Sequence, residues 1–155
     1  RDTTAIEDAF DIMLHYPKLQ AFCRATMLAA EPAPRFLIHG TNGSFRKYGL
    51  DPQEPALVGG ATVPPMGDAQ VWLAEPESAW GTLTIAPDPA EPGELNRTTV
   101  KTELGDYRGY YANVRDAILG VSPLKVTPED AYRVIRLLEM ARQSSAEGRS
   151  LPVSF

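Results

Sequence analysis

The chain is short of cysteine, of positive charge and of long apolar runs, and each shortage removes a class of function. One cysteine in 155 residues, Cys23, leaves no partner for an internal disulfide and no cysteine cluster for zinc. Asp plus Glu outnumber Lys plus Arg by 20 to 15, giving a formal net charge of −5. The basic footprint of a nucleic-acid binder is therefore missing. No apolar stretch approaches the roughly 20 residues that span a bilayer, and the first residues show no charged-then-apolar leader. A reducing cytoplasm is the expected compartment, with no nucleic acid and no membrane as partner. The catalytic signatures are missing too. "GTNG" has the wrong spacing for G-x-G-x-x-G, and G-x-x-x-x-G-K-[ST], H-E-x-x-H and G-x-S-x-G do not occur. His15 and His39 lack a third ligand for a metal; hydrogen-bonded histidines on a sheet are the simpler reading. Cys23 alternates with alanines and reads as a buried, inert thiol.

What is present is a strand-rich chain that changes period near its end. Hydrophobic residues make up 43% and charged residues 23%, and the length suits one domain. "EDAFDIMLHYP" alternates with period two, with Phe10, Ile12, Leu14 and Tyr16 on one face and Asp11, Met13 and His15 on the other. A turn at Pro17-Lys18 leads to a second strand, "LQAFCRATMLA". Both faces of this pair carry apolar side chains, whereas a sheet with one wet face alternates more cleanly. "RFLIHG" and "SFRKY" form a hairpin around Asn42-Gly43, a pair suited to a type I′ turn with positive φ at Gly43. Asp51 to Gly81 is rich in proline and glycine and reads as a long loop, with Trp72 and Trp80 as its anchors. "TLTIA" and "RTTVKTEL" add two strands, joined by the polar connector "PDPAEPGE".

From Asp106 the period becomes helical. "DYRGYYANVRDAILG" puts Tyr107, Tyr110, Tyr111, Val114, Ala117 and Ile118 on one stripe, with Asp106 as cap and Gly120 as stop. "TPEDAYRVIRLLEMARQSSAEG" has Thr127 at the cap, Pro128 in the first turn and Gly148 as stop, with Ala131, Val134, Ile135, Leu138 and Ala141 as its apolar stripe. "LPVSF" reads as a closing edge strand. Strands first and helices last predict an α+β fold. Its sheet would be open and mostly antiparallel, with the two C-terminal helices packed on one face and the other face used for oligomerisation. Two features have more than one reading. "KYGLDPQE" gathers Lys47, Tyr48, Asp51, Gln53 and Glu54, either as a solvated loop or as a polar rim against a sugar or a neighbouring subunit. Tyr107 beside Asp106 either packs a helix on the sheet or points into a substrate cleft.

Four stretches in this order, "RFLIHGTNGSFRKYGLDPQE", "EPESAWGTL", "GDYRGYYANVRDAILG" and "VTPEDAYRVIRLLEMARQSSAEGR", resemble the C-terminal domain of the Gfo/Idh/MocA family, the glucose–fructose oxidoreductases and inositol dehydrogenases. The first stretch is most similar to the scyllo-inositol-dehydrogenase branch. The resemblance implies a two-domain parent. Its N-terminal Rossmann domain, absent from this chain, binds NAD or NADP, and residues 1–155 form a single C-terminal domain for substrate and oligomerisation. The family's Glu-Lys-Pro lysine and Asp-x-x-x-His pair lie upstream, and His15 and His39 do not match them. No catalytic, cofactor-binding or metal-binding residue is therefore expected here. Lys47, Tyr48, Asp106 and Tyr107 are the expected contacts to a sugar or polyol, and a homo-oligomer is expected through the sheet face. The start at Arg1 reads as a piece of a longer protein, inactive alone. The competing reading is a non-enzymatic oligomerisation or ligand-binding module of the same fold.

Overall fold

The computed structural model describes residues 7–65, 72–88 and 93–155. In chain order the elements are β1 (Ala9–His15), β2 (Gln20–Thr26), β3 (Phe36–His39), β4 (Gly43–Lys47), α1 (Gln53–Val58), β5 (Gly81–Ile85), β6 (Asn96–Val100), α2 (Tyr107–Ile118) and α3 (Pro128–Glu147). They fall into two compact units. One contains β1, β2 and α3, from residues 1–31 and 124–155; the other is residues 32–123. Every ladder is antiparallel, and the class is α+β, with one long helix in each unit.

In the unit of residues 32–123 the sheet order is β3-β4-β5-β6. Ile38 pairs with Phe45, and Phe45 in turn with Leu83. Gly81 lies under the Phe45 ring, where a Cβ would collide with it. Asp106 caps α2 by accepting the Arg108 N–H at 2.9 Å, and Gly120 ends it at φ 71°.

The hairpin between β3 and β4 forms as expected, but its turn is of another kind. Gly40 donates to the Gly43 carbonyl at 2.8 Å, so Thr41-Asn42 lies at the tip, and Gly43 opens β4 without positive φ. Gly43 is needed for a different reason. A Cβ there would strike the Thr84 carbonyl and stand 2.9 Å from Ile85 Cδ1 on β5.

The loop expected over residues 51–81 also holds regular structure. Its described residues contain α1 and a 3₁₀ turn at Glu77–Ala79. Asp51 accepts the Gln53 N–H at 2.8 Å, which starts α1. Met66 and Gly67 of the "VPPMG" centre of that loop, and residues 89–92 of "PDPAEPGE", lie outside the described residues.

In the other unit β1 and β2 make a two-stranded hairpin closed by Tyr16 N–H to the Leu19 carbonyl, 3.0 Å, around Pro17-Lys18. Ile12 pairs with Cys23 and Met13 with Phe22. Asp11 and Arg24, directly opposite, form a 2.7 Å ion pair. Cys23 is exposed, not buried: the two-stranded hairpin leaves it open, as it does Ala25 on the same face, while Ala21 is half-buried. Helix α3 has the expected start. Thr127 accepts from the Asp130 N–H and Asp130 from the Thr127 N–H, both at 3.2 Å, a reciprocal capping box. Gly148 ends it at φ 63° in the left-handed region that favours glycine. Residues 151–155 form no strand.

The expected helix stripes are covered only in part: Val114 and Ala117 on α2 and Ala141 on α3 are half-buried, but the larger stripe residues are exposed. On α3, Val134, Ile135 and Leu138 are exposed, while Met140 is buried and Leu137 and Ala141 half-buried. On α2, Tyr111 and Ile118 are exposed, while Ala112, Asn113 and Val114 are half-buried. Among the described residues only Gln53, Gly81 and Met140 are buried. Met13 and Phe22 stand exposed together on the hairpin.

Candidate functional site

Two polar clusters organise the unit of residues 32–123. The first forms where β4 ends. Lys47 Nζ donates to both carboxylate oxygens of Glu75, at 2.6 and 2.8 Å, to the Ala79 carbonyl at 3.0 Å and to the Tyr48 carbonyl at 3.3 Å. The pair is largely withdrawn from water, with side chains 12% and 7% exposed. Burial pushes the Glu75 carboxyl up. The Lys47 and Thr102 side chains and the Lys47 charge outweigh that, so its pKa lies below the ordinary glutamate value. Thr102 stands beside the carboxylate without a hydrogen bond of good geometry, which leaves its buried hydroxyl oxygen unsatisfied. Trp80 Nε1 donates to the Glu75 carbonyl at 3.2 Å, and Lys101 Nζ lies 5.9 Å from the centre of the Trp80 ring.

The second cluster forms at the start of α2. The Arg108 guanidinium takes both Asp106 oxygens and the carbonyls of Pro64 and Pro65, and lies 5.9 Å from the Trp72 ring centre. Hydrogen bonds from Arg108 hold the Asp106 carboxyl below the usual aspartate range, against a smaller opposing effect of burial. Gln53 lies beneath. Its Oε1 accepts the Tyr107 N–H at 3.0 Å, and its Nε2 donates to the carbonyls of Trp72, at 3.1 Å, and Gly105. A groove of about 420 Å³ runs along α2, lined by Val63, Pro64, Arg108, Tyr111, Ala112 and Arg115. Its walls are mainly hydrocarbon, and both arginines are ion-paired, Arg108 to Asp106 and Arg115 to Asp116.

The four residues expected to meet a ligand divide into two kinds. Lys47 and Asp106 have their charges satisfied within the chain. Tyr48 and Tyr107 are exposed, with the Arg46 guanidinium 5.7 Å from the Tyr48 ring centre. Lys47 and Tyr48 belong to one cluster, Asp106 and Tyr107 to the other. Both tryptophans are docked, as loop anchors would be. Gln53, expected in a solvated or rim segment, is instead fully buried. Sequence reasoning missed Glu75 and Arg108 as partners. The start of α1 had a readable signal: Asp51-Pro52 followed by acidic Glu54, with Gly59-Gly60 as the stop.

Among the described residues no group of His, Cys, Asp and Glu could hold a metal ion. None of their helices is long and apolar enough to cross a membrane. The sequence offers no glycine-rich strand-to-helix turn for a dinucleotide pyrophosphate.

Comparison with known proteins places these features. The chain is 35% identical to the uncharacterized oxidoreductase YdgJ of Escherichia coli, over 93% of its own length and 39% of that protein. It is 34% identical to the scyllo-inositol 2-dehydrogenase (NADP(+)) IolW of Bacillus subtilis, over 97% of its length and 40% of that protein. The solved structure of the Bacillus subtilis oxidoreductase yvaA superposes with a TM-score of 0.83 at 32% identity, over 99% of this chain and 43% of that one. The chain thus spans about two fifths of the length of these relatives. The family profile for the oxidoreductase family C-terminal alpha/beta domain matches residues 1–155, across both units. On that match and these relatives, the chain belongs to the Gfo/Idh/MocA oxidoreductase family, of which it carries the C-terminal domain.

Proposed function

We propose that this chain is the substrate-side and subunit-contact domain of an NAD- or NADP-dependent dehydrogenase acting on a sugar or polyol. The cofactor belongs to an upstream Rossmann domain, because the residues of this chain do not fit a dinucleotide. Its own residues bind, orient and shield the polyol. The start of α2 forms the wall that faces the substrate. Tyr107 and Tyr48 offer exposed phenols as direct contacts. Lys47 and Asp106 act through the shape that their ion pairs fix. The scyllo-inositol activity in the name of IolW makes inositols the first class to test.

One observation carries the reading. The chain matches two fifths of its relatives and leaves apolar side chains exposed on several elements, Met13 and Phe22 on the hairpin and Val134, Ile135 and Leu138 on α3. Apolar patches beyond a few hundred Å² are uncommon on soluble monomers and mark contact surfaces. The remainder of the protein and a second copy of the chain are the natural covers, and a two-fold dimer is the simplest assembly.

The test compares this chain with the longer protein that includes its upstream reading frame. Calorimetry should detect NAD or NADP binding to the longer protein only. That protein should reduce the bound cofactor with at least one member of a panel of inositols and aldoses. Micromolar cofactor binding by residues 1–155 alone would overturn the division of labour. A longer protein without a G-x-G-x-x-[GA] turn, inert to the whole panel, would overturn the enzyme reading in favour of a non-enzymatic module.

A further inference from the structure

Gln53 is the one side chain among the described residues with no exposure at all, and it is polar. Substrate cannot touch it. A glutamine amide offers two donor hydrogens and an acceptor oxygen, and here all are used. Oε1 takes the Tyr107 N–H, while Nε2 serves the carbonyls of Gly105 and Trp72. The orientation is fixed by these partners, since the flipped amide would set its oxygen against two carbonyl oxygens.

The partner that matters is Tyr107. It is the first residue of α2, and the first four N–H groups of any helix lack partners within it. Asp106 caps from its own position, but its carboxylate serves the Arg108 N–H and the Arg108 side chain. The Tyr107 N–H is met by an acceptor 54 residues earlier in the chain. Gly105 reinforces the arrangement. A Cβ there would collide with the Asp51 carboxylate, so the Asp51 side chain packs directly on the Gly105 main chain. Asp51 also accepts the Gln53 N–H and thereby orients the residue.

We propose that Gln53 is a positioning residue for Tyr107: through the main chain it sets where the phenol stands on the substrate side. This role rests on the start of α2 being the substrate wall. It explains why a fully buried amide, costly to desolvate, lies under a half-exposed tyrosine.

The test uses the full-length enzyme with Gln53→Glu and Tyr107→Phe. A glutamic acid in this dry site favours its neutral form. Neutral, it still accepts from Tyr107 and donates to one carbonyl; ionised, it faces two carbonyl oxygens. KM for the polyol should therefore rise roughly tenfold at pH 9 and return to within about threefold of the unsubstituted enzyme at pH 6, with kcat changing less. A merely structural loss would lower the melting temperature without that split between KM and kcat. A folded Gln53→Glu enzyme whose KM matches the unsubstituted one at both pH values overturns the role. If Gln53→Glu does not fold, hydrogen exchange of the Tyr107 amide in the unsubstituted enzyme decides. Slow exchange supports the bond to Gln53, and exchange at the rate of a free amide overturns it. Tyr107→Phe separates the two ideas. No change in KM overturns the substrate-wall reading and the positioning role with it. A raised KM there, beside an unaffected Gln53→Glu enzyme, overturns only the role of Gln53.

Discussion

The two units of the chain are held by different chemistry. The unit of residues 32–123 closes its long connections with polar clamps: Lys47 on Glu75 and Gln53 on three backbone groups, both withdrawn from water, and Arg108 on the partly exposed Asp106 and two proline carbonyls. The unit of β1, β2 and α3 has no buried ion pair among its described residues. Its bridges, Asp11–Arg24 and Glu7–Arg142, are exposed, and exposed pairs contribute little. Local devices shape it instead: a short turn, a capping box and a left-handed glycine. Both units leave large apolar side chains exposed, such as Leu37, Ile38 and Ile118 in the unit of residues 32–123 and Met13, Phe22 and Val134 in the other; what differs is the long-range polar clamping.

The largest effect should come from breaking the best clamp. Glu75→Leu strands the Lys47 ammonium in a site that is nearly dry, and removing one partner of a buried pair costs about 3–5 kcal/mol. Urea unfolding should show that loss, and the double variant Lys47→Met with Glu75→Leu should recover part of it. The same pair gives an acid limb. The folded Glu75 pKa lies below the ordinary value of 4.5. Its stabilisation is thus complete above that value and is lost as pH falls through the lower folded pKa. Melting curves from pH 7 to pH 3 should show a steeper decline for the parent than for Glu75→Gln.

A smaller effect separates two explanations of one glycine. Gly43→Val overpacks β4 against β5 and should cost about 1–3 kcal/mol. Gly43→Asn sharpens the point. Asparagine tolerates positive φ, so a left-handed position would accept it, whereas contact with Thr84 and Ile85 should make it nearly as damaging as valine. A thermal melt of both variants distinguishes the two.

The smallest effect tests the locally built unit. Thr127→Ala removes the cap of α3 and should cost about 1 kcal/mol, read by chemical unfolding followed by far-UV circular dichroism. A loss as large as that from Glu75→Leu would erase the difference between the units. Met13→Asp should leave that unit's own stability almost unchanged yet shift the protein toward monomer in light scattering, if the hairpin face is a subunit contact.

The strands, both long helices and their caps were legible because they rest on local chemistry. Period-two alternation marked β1 and β2, Asp106 and Thr127 signalled helix starts, and Gly120 and Gly148 the stops. Helix α1 carried its signal as well, in Asp51-Pro52 and Gly59-Gly60, but the surrounding prolines and glycines made the segment look like loop. At the candidate site, the sequence brought out Asp106, Tyr107, Lys47 and Tyr48 as polar residues near element ends. It could not reveal the distant partners of two of them. Lys47 meets Glu75 across 28 positions, and Tyr107 meets Gln53 across 54.

By itself the sequence determined the order and type of most elements, the ends of α2 and α3, and the likeness to one oxidoreductase family. These follow from side-chain period, from capping groups within a few residues, and from short motifs. The tertiary structure decided which apolar stripe of α3 is covered, why Gly43 is a glycine, and that the deepest side chain is an amide. Each of these depends on atoms brought together from distant parts of the chain, where burial and hydrogen-bond satisfaction, and not local propensity, set the outcome.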